Sequence, residues 1–219
     1  MNKFSKYNDI EAVILKADND LVDIENRYQK SLTEENIPAE LLVDIKDYLG
    51  NLKSALDYWA NKYNLKYFPV CDNDKDFANK TTTIDFKIKN ILSAYQPYNN
   101  NAWIKWFNIL NNKSKHLTLV PQKRKESVET KVSNGSGGVS WNSGVRFGSG
   151  VRIMGVPIDP ITQLPVSNNL VKTERTIWVN FIFDNTVSPL LPDNISVLPF
   201  LKECNIKIKE IINNLEKVN

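Results

Sequence analysis

Apolar residues recur at three- and four-residue steps through the first half of the chain and at two-residue steps through much of the second. Over residues 7–32 the stripe is Ile10, Val13, Ile14, Ala17, Leu21, Ile24 and Tyr28, which predicts a long amphipathic helix. Glu34 to Ile37 breaks it, and Pro38 sits where a second helix would begin, a position at which its missing N–H costs nothing. That helix is expected to run to about Asn64, with Leu42, Ile45, Leu49, Leu52, Leu56, Trp59 and Tyr63 on one face. Two long helices joined by a short link are expected to pack antiparallel.

Residues 65–81 read as a loop. Asp72, Asp74 and Asp76 alternate there, but no glycine and no glutamate stand where a calcium loop requires them. Thr82 followed by Asp85 resembles a capping box for a short helix from Ile84 to about Ala94. Pro97 makes a turn of Gln96-Pro97-Tyr98, because it disfavours helix at Gln96. A fourth helix is expected over about Ala102 to Asn112, with Trp103, Trp106, Phe107 and Leu110 buried.

After His116 the period changes. Leu117 to Val120 predicts a strand ended by Pro121, and Val128, Thr130 and Val132 predict another. Seven of the eight glycines then fall between Gly135 and Gly155, and SGVRF (143–147) is nearly repeated as SGVRI (149–153). The odd positions Val139, Trp141, Val145, Phe147, Val151 and Ile153 are apolar, which predicts extended strand with one buried face. Arg146 and Arg152 would then share the polar face and could grip an anion together. Three copies of a six-residue period are too few for a solenoid. Residues 156–175 read as loop, Ile177, Val179, Phe181 and Phe183 as strand, and Pro199 opens a last helix through Leu201, Cys204, Ile208, Ile211, Leu215 and Val218.

These elements predict an α+β fold: a helical bundle over 1–116, an antiparallel Gly-rich β segment over 117–185, and a loop with a closing C-terminal helix over 186–219 that packs back on the body. The 219 residues suffice for a substantial core, and 42% hydrophobic with 24% charged residues is the composition of a soluble globular protein. No membrane partner is expected, because no apolar run nears the roughly 20 residues that span a bilayer. The first residues carry no secretory signal pattern, so a cytoplasmic location is expected, with Cys71 and Cys204 as reduced, buried thiols.

The net charge of +3 is unevenly placed. Up to His116 there are 16 basic and 16 acidic residues; from Leu117 onward there are 12 and 9. Lys113, Lys115, Lys123, Arg124, Lys125 and Lys131 crowd around the only histidine, His116. A basic patch beside a histidine suits a phosphate-bearing partner, an RNA or a nucleotide. His116 is therefore the candidate catalytic residue, and Lys113, Lys115 and Arg124 are the candidate phosphate ligands. No metal motif or dinucleotide motif is present, so neither metal nor cofactor is expected.

Four short motifs stand in order: Leu52-Lys53-Ser54-Ala55-Leu56-Asp57, Phe68-Pro69-Val70, Gln96-Pro97-Tyr98 and Asn112-Lys113-Ser114-Lys115-His116. The series resembles a group of small, largely uncharacterised bacterial proteins with the pattern L-(R/K)-S-A-L-D, F-P-(I/V), Q-P-(Y/F) and (D/S)-K-H, whose helical part looks like the HEPN class. The resemblance covers about residues 40–120. It implies a helical bundle, dimerisation, and a place in phage defence or a toxin-type system. It also implies metal-independent ribonuclease chemistry, in which a histidine moves the proton and an arginine a few residues upstream stabilises the phosphorane. Asn111, Leu110 and Ile109 stand five to seven residues before His116, and none is arginine. The functional expectation is thus a binding or assembly protein on a helical scaffold, presenting residues 134–156 to a protein partner or a second copy. The alternative is a HEPN-like ribonuclease using His116.

Overall fold

The computed structural model describes residues 6–34, 37–116, 119–166, 169–187 and 190–218. It is an α+β structure. The helices are α1 (Lys6–Ser31), α2 (Ala39–Asn61), α3 (Asp74–Lys80), α4 (Phe86–Ala94), α5 (Ala102–His116) and α6 (Val197–Glu216). The strands are β1 (Gln122–Asn134), β2 (Gly137–Asn142), β3 (Arg152–Ile153), β4 (Val156–Pro157) and β5 (Lys172–Phe183). The chain forms two compact units, one of residues 1–123 with 181–219 and one of residues 124–180. Among the described residues no helix is long and apolar enough to cross a membrane.

The first unit is built on the α1–α2 pair. Ile10, Ala17 and Ile24 on α1 recur every seven residues and are buried, as is Tyr28 one turn on. Asn51 on α2 donates to Asp20, and Arg27 pairs with Asp44. Seven residues forward on α1 therefore answer seven residues backward on α2, which makes the pair antiparallel. On α2 the buried face is Leu41, Ile45, Tyr48, Leu49, Leu52, Leu56 and Trp59. Leu41 rather than Leu42 faces inward, and Tyr48 joins it by donating its hydroxyl to Leu201 O at 2.9 Å.

The last helix packs against α1, α2, α4 and α5. It buries Leu201, Cys204, Ile208, Ile211 and Leu215, and starts two residues before Pro199. Asn205 fixes its roll by donating to Asp18 at 2.9 Å. Phe181 N donates to Tyr28 Oη at 2.8 Å, which ties the end of β5 to α1. Cys71 and Cys204 are buried free thiols, and burial raises the pKa of both.

Three local expectations are corrected. The loop over 65–81 contains α3: Asn73 accepts from Asp76 N at 2.9 Å, so the polar Asn-Asp run caps a helix. The short helix after it is capped by Asp85, which accepts from Lys87 N at 2.8 Å, and not by Thr82. Leu119 and Val120 are not in a strand; β1 begins after Pro121, and residues 117–118 lie outside the described residues.

The second unit holds the β2–β1 hairpin, within a three-stranded sheet of order β2-β1-β5. Antiparallel register pairs Val132 with Val139 and Thr130 with Trp141. The Gly-rich stretch is not one strand. Asn142 Oδ1 accepts from Gly144 N at 3.0 Å, a side-chain turn that ends β2. Two residues with positive φ, Met154 (52°) and Gly155 (80°), then join β3 to β4 as a tight hairpin. Phe147, Val151, Ile153 and Met154 pack on Val132, Trp141 and Ile158 because the chain folds over, whereas Val139 and Val145, expected on the same buried face, are exposed.

Candidate functional site

The first unit contains a cleft of about 770 Å³. Its wall comes from three segments: Lys53 and Asp57 of α2, the connection Leu65–Val70, and Asn108, Asn111 and Asn112 of α5, with Lys80 at the end of α3.

Asp57 organises the α2 side. It lies one turn after Lys53, and the two form an ion pair although Lys53 is only 6% exposed. The same Asp57 Oδ1 accepts the backbone N–H of Phe68 at 2.8 Å. A hydrogen bond to a charged acceptor contributes about 1.5–3 kcal/mol, enough to hold the returning chain in place. Phe68 then anchors the connection in the core, 3% exposed.

Gln96 organises the other side. It is fully buried just after α4. Its Nε2 donates to Pro69 O at 3.0 Å and to Leu92 O at 3.1 Å, and its Oε1 accepts from Cys71 N at 2.9 Å. One amide thus satisfies three backbone groups that would otherwise be buried unpaired. The motifs L-K-S-A-L-D, F-P-V and Q-P-Y meet here for this reason: the first and third each hold the second.

The contribution of α5 is polar. Asn111 is 1% exposed and lines the cleft, yet its Oδ1 has no hydrogen-bond partner. A buried acceptor left without a donor costs about 1–3 kcal/mol, so Asn111 makes this part of the cleft wall a costly one for the fold. Around it the charges are unequal. Lys53 and Asp57 offset one another, which leaves Lys66 and Lys80 as the excess. Lys66 Nζ lies 5.2 Å from the ring centroid of Tyr67, whose side chain is largely in solvent. Together these groups offer two cations, an aromatic face and a hydrogen-bonding floor.

Of the residues expected from sequence, Lys113 is half-buried on α5, beside the cleft-lining asparagines in sequence but not in the cleft wall. His116 is the last residue of α5, and the side chains of Lys115 and His116 lie outside the described residues. Arg124 belongs to the second unit, where it pairs with Glu126. Lys66, Lys80, Asn108 and Asn111 were not legible as site residues. The signal that could have pointed to them is the ordered motif series, which brackets the cleft on both sides. Among the described residues no group of three histidine, cysteine or carboxylate side chains could hold a metal ion.

Compared with family models, curated proteins and solved structures, the chain matches none of them.

Proposed function

We propose that this protein is a binding protein whose helical unit receives a phosphate-bearing ligand, a nucleotide or a segment of RNA, in the cleft between α2, Leu65–Val70 and α5. The observation that carries this reading is the cleft's composition. Three lysines, Lys53, Lys66 and Lys80, line the cleft against one carboxylate, Asp57, beside the exposed ring of Tyr67 and the asparagines of α5. Lysine attracts phosphate as a point charge, an exposed tyrosine stacks on a base, and the amide of the exposed Asn112 offers both a donor and an acceptor. The HEPN kinship, with its place in phage defence or a toxin-type system, is part of this proposal.

The test is fluorescence anisotropy with a labelled single-stranded RNA and a labelled ATP analogue at low and moderate salt. Saturable binding that weakens with salt and drops at least tenfold in Lys66→Ala/Lys80→Ala supports the reading. No binding at low salt, or binding indifferent to the double variant, ends it.

A second reading, the metal-independent ribonuclease, is favoured by one placement. The helix that supplies Asn108, Asn111 and Asn112 to the cleft ends at His116. RNA cleavage in excess chelator that disappears in His116→Ala would support it. Binding without cleavage across several RNAs would leave the protein a receptor.

A further inference from the structure

The second unit has a cavity of its own, about 210 Å³, between the sheet and the residues that follow β2. Val128, Trp141, Val145 and Leu164 give it an apolar lining, and Arg146 and Arg175 both border it. The chain has five arginines. Arg27 pairs with Asp44, Arg124 with Glu126, and Arg152 donates to Gly155 O at 3.0 Å. Arg146 and Arg175, the two that border this cavity, have no acidic partner among the described residues, and no acidic residue lines it. The sequence expectation joined Arg146 to Arg152; the fold joins it to Arg175 instead, because Arg152 sits in the β3–β4 hairpin and bonds its turn.

Arg146 and Arg175 are both exposed at the rim of this mixed polar and apolar cavity, and an anion between them offsets their like charge. The segment carrying Arg146 is also held. Gln163 clamps its neighbour Phe147 from both sides, accepting from Phe147 N at 2.6 Å and donating to Phe147 O at 3.2 Å. Phe147 meets Trp141 edge to face at 5.1 Å. Asp159 fixes the turn that presents Gln163, accepting from Ile161 N at 2.7 Å. The backbone that carries Arg146 is thereby fixed next to the cavity, so binding orders only the exposed side chain.

We propose that this cavity binds a carboxylate that carries a short apolar group, with Arg146 and Arg175 gripping the oxygens and Trp141, Val145 and Leu164 covering the apolar part. The guanidinium fork matches a carboxylate in two parallel hydrogen bonds, and the small volume suits a carboxylate head with a few carbons. Two sources have this chemistry: a free short-chain acid, and the last residue of a peptide chain. The site lies wholly in the second unit and does not depend on the cleft described above.

The test is isothermal titration of the full chain with four probes: valerate, an acetylated tripeptide ending in valine with a free carboxylate, the same tripeptide as its C-terminal amide, and inorganic phosphate. The expected result is saturable binding of valerate or the free-carboxylate tripeptide, lost at least tenfold in the amide, in Arg146→Ala and in Arg175→Ala. Arg146→Lys keeps the charge and loses the fork, and is expected to bind at least threefold more weakly. Equal affinity for valerate and tripeptide identifies a free acid as the source; a much tighter tripeptide identifies a chain end. No binding of either carboxylate by the folded wild type, equal binding of the amide, or phosphate binding as tight as the carboxylates overturns the proposal.

Discussion

Asp57 and Phe68 are eleven residues apart, and the Asp57 carboxylate accepts the Phe68 backbone N–H at 2.8 Å while also pairing with the nearly buried Lys53. One side chain therefore neutralises a buried cation, turns the chain back after α2 and shapes one wall of the cleft. Replacing Asp57 by Asn keeps an acceptor for Phe68 but leaves Lys53 with less compensation. We expect a loss of about 2 kcal/mol in urea unfolding, reduced from the fully buried case because Asp57 keeps some solvent contact. Adding Lys53→Met should recover at least half of it. Additive losses in the double variant would show that the pair is not coupled.

Gln96 is the counterpart on the far side. Gln96→Leu leaves Pro69 O and Cys71 N without their partner in a buried setting. A cost of about 3 kcal/mol is expected from two unpaired backbone groups. Loosening of the connection should also speed amide hydrogen exchange at Val70 and Cys71. Unchanged exchange there would mean that the core residue Phe68 alone holds the segment.

Asn111 should behave in the opposite sense. Its Oδ1 is buried and unpartnered, so Asn111→Leu removes a penalty and should leave the fold as stable or more stable by up to about 1 kcal/mol. The same variant should weaken any ligand of the cleft several-fold. Stability is checked by thermal unfolding and affinity by the anisotropy assay. A destabilised Asn111→Leu would show that the side chain serves the fold and not a ligand.

Acid sensitivity has a named source in the first unit. Lys123 donates to Asp184 at 2.8 Å, and Thr186 adds its hydroxyl and N–H, so the Asp184 carboxyl is held down to about 2. A depressed carboxylate favours the folded state at pH above its unfolded value of about 3.9. That contribution fades as pH falls through this value towards about 2. Asp184→Asn should therefore flatten the pH dependence of stability in that window and leave it unchanged near neutrality. Equal slopes for variant and wild type would discount the Lys123–Asp184 pair as the cause.

The helical half was largely legible because its signal is local. A stripe such as Ile10, Ala17, Ile24 specifies helix and buried face together, since a helix has little freedom in which side it turns to a partner. The exceptions follow the same logic. Leu41 and Leu42 are adjacent apolar residues, and only the packing of α1 and α6 selects the former. The Asn-Asp run before Phe77 carries two compatible readings, loop and helix cap, and the side-chain bond from Asp76 N to Asn73 selects the cap.

The Gly-rich half was less legible. Alternation of apolar residues from Val139 to Ile153 is shared by a straight strand and by a chain that doubles back on itself. The choice depends on where the backbone turns, at Asn142 and at Met154-Gly155, and on Gln163 reaching back sixteen residues to Phe147. That Arg146 and Arg175 line one cavity is a product of that doubling back.

The sequence by itself determined five of the six helices, all but α3, together with the heptad-like core of α1 and α2, the antiparallel pairing of those two helices, the α+β class and the order of the four motifs. It did so through periodicity and short links, which act between near neighbours. Only the tertiary structure decided that Asp57 and Gln96 would hold Phe68-Pro69-Val70 between them. It also decided that Lys66, Lys80 and Asn111 would face one cleft and that Arg146 would share a cavity with Arg175. Those relations join residues from 11 to 29 positions apart or more through single hydrogen bonds and shared walls, and no local pattern encodes which of many polar side chains will meet.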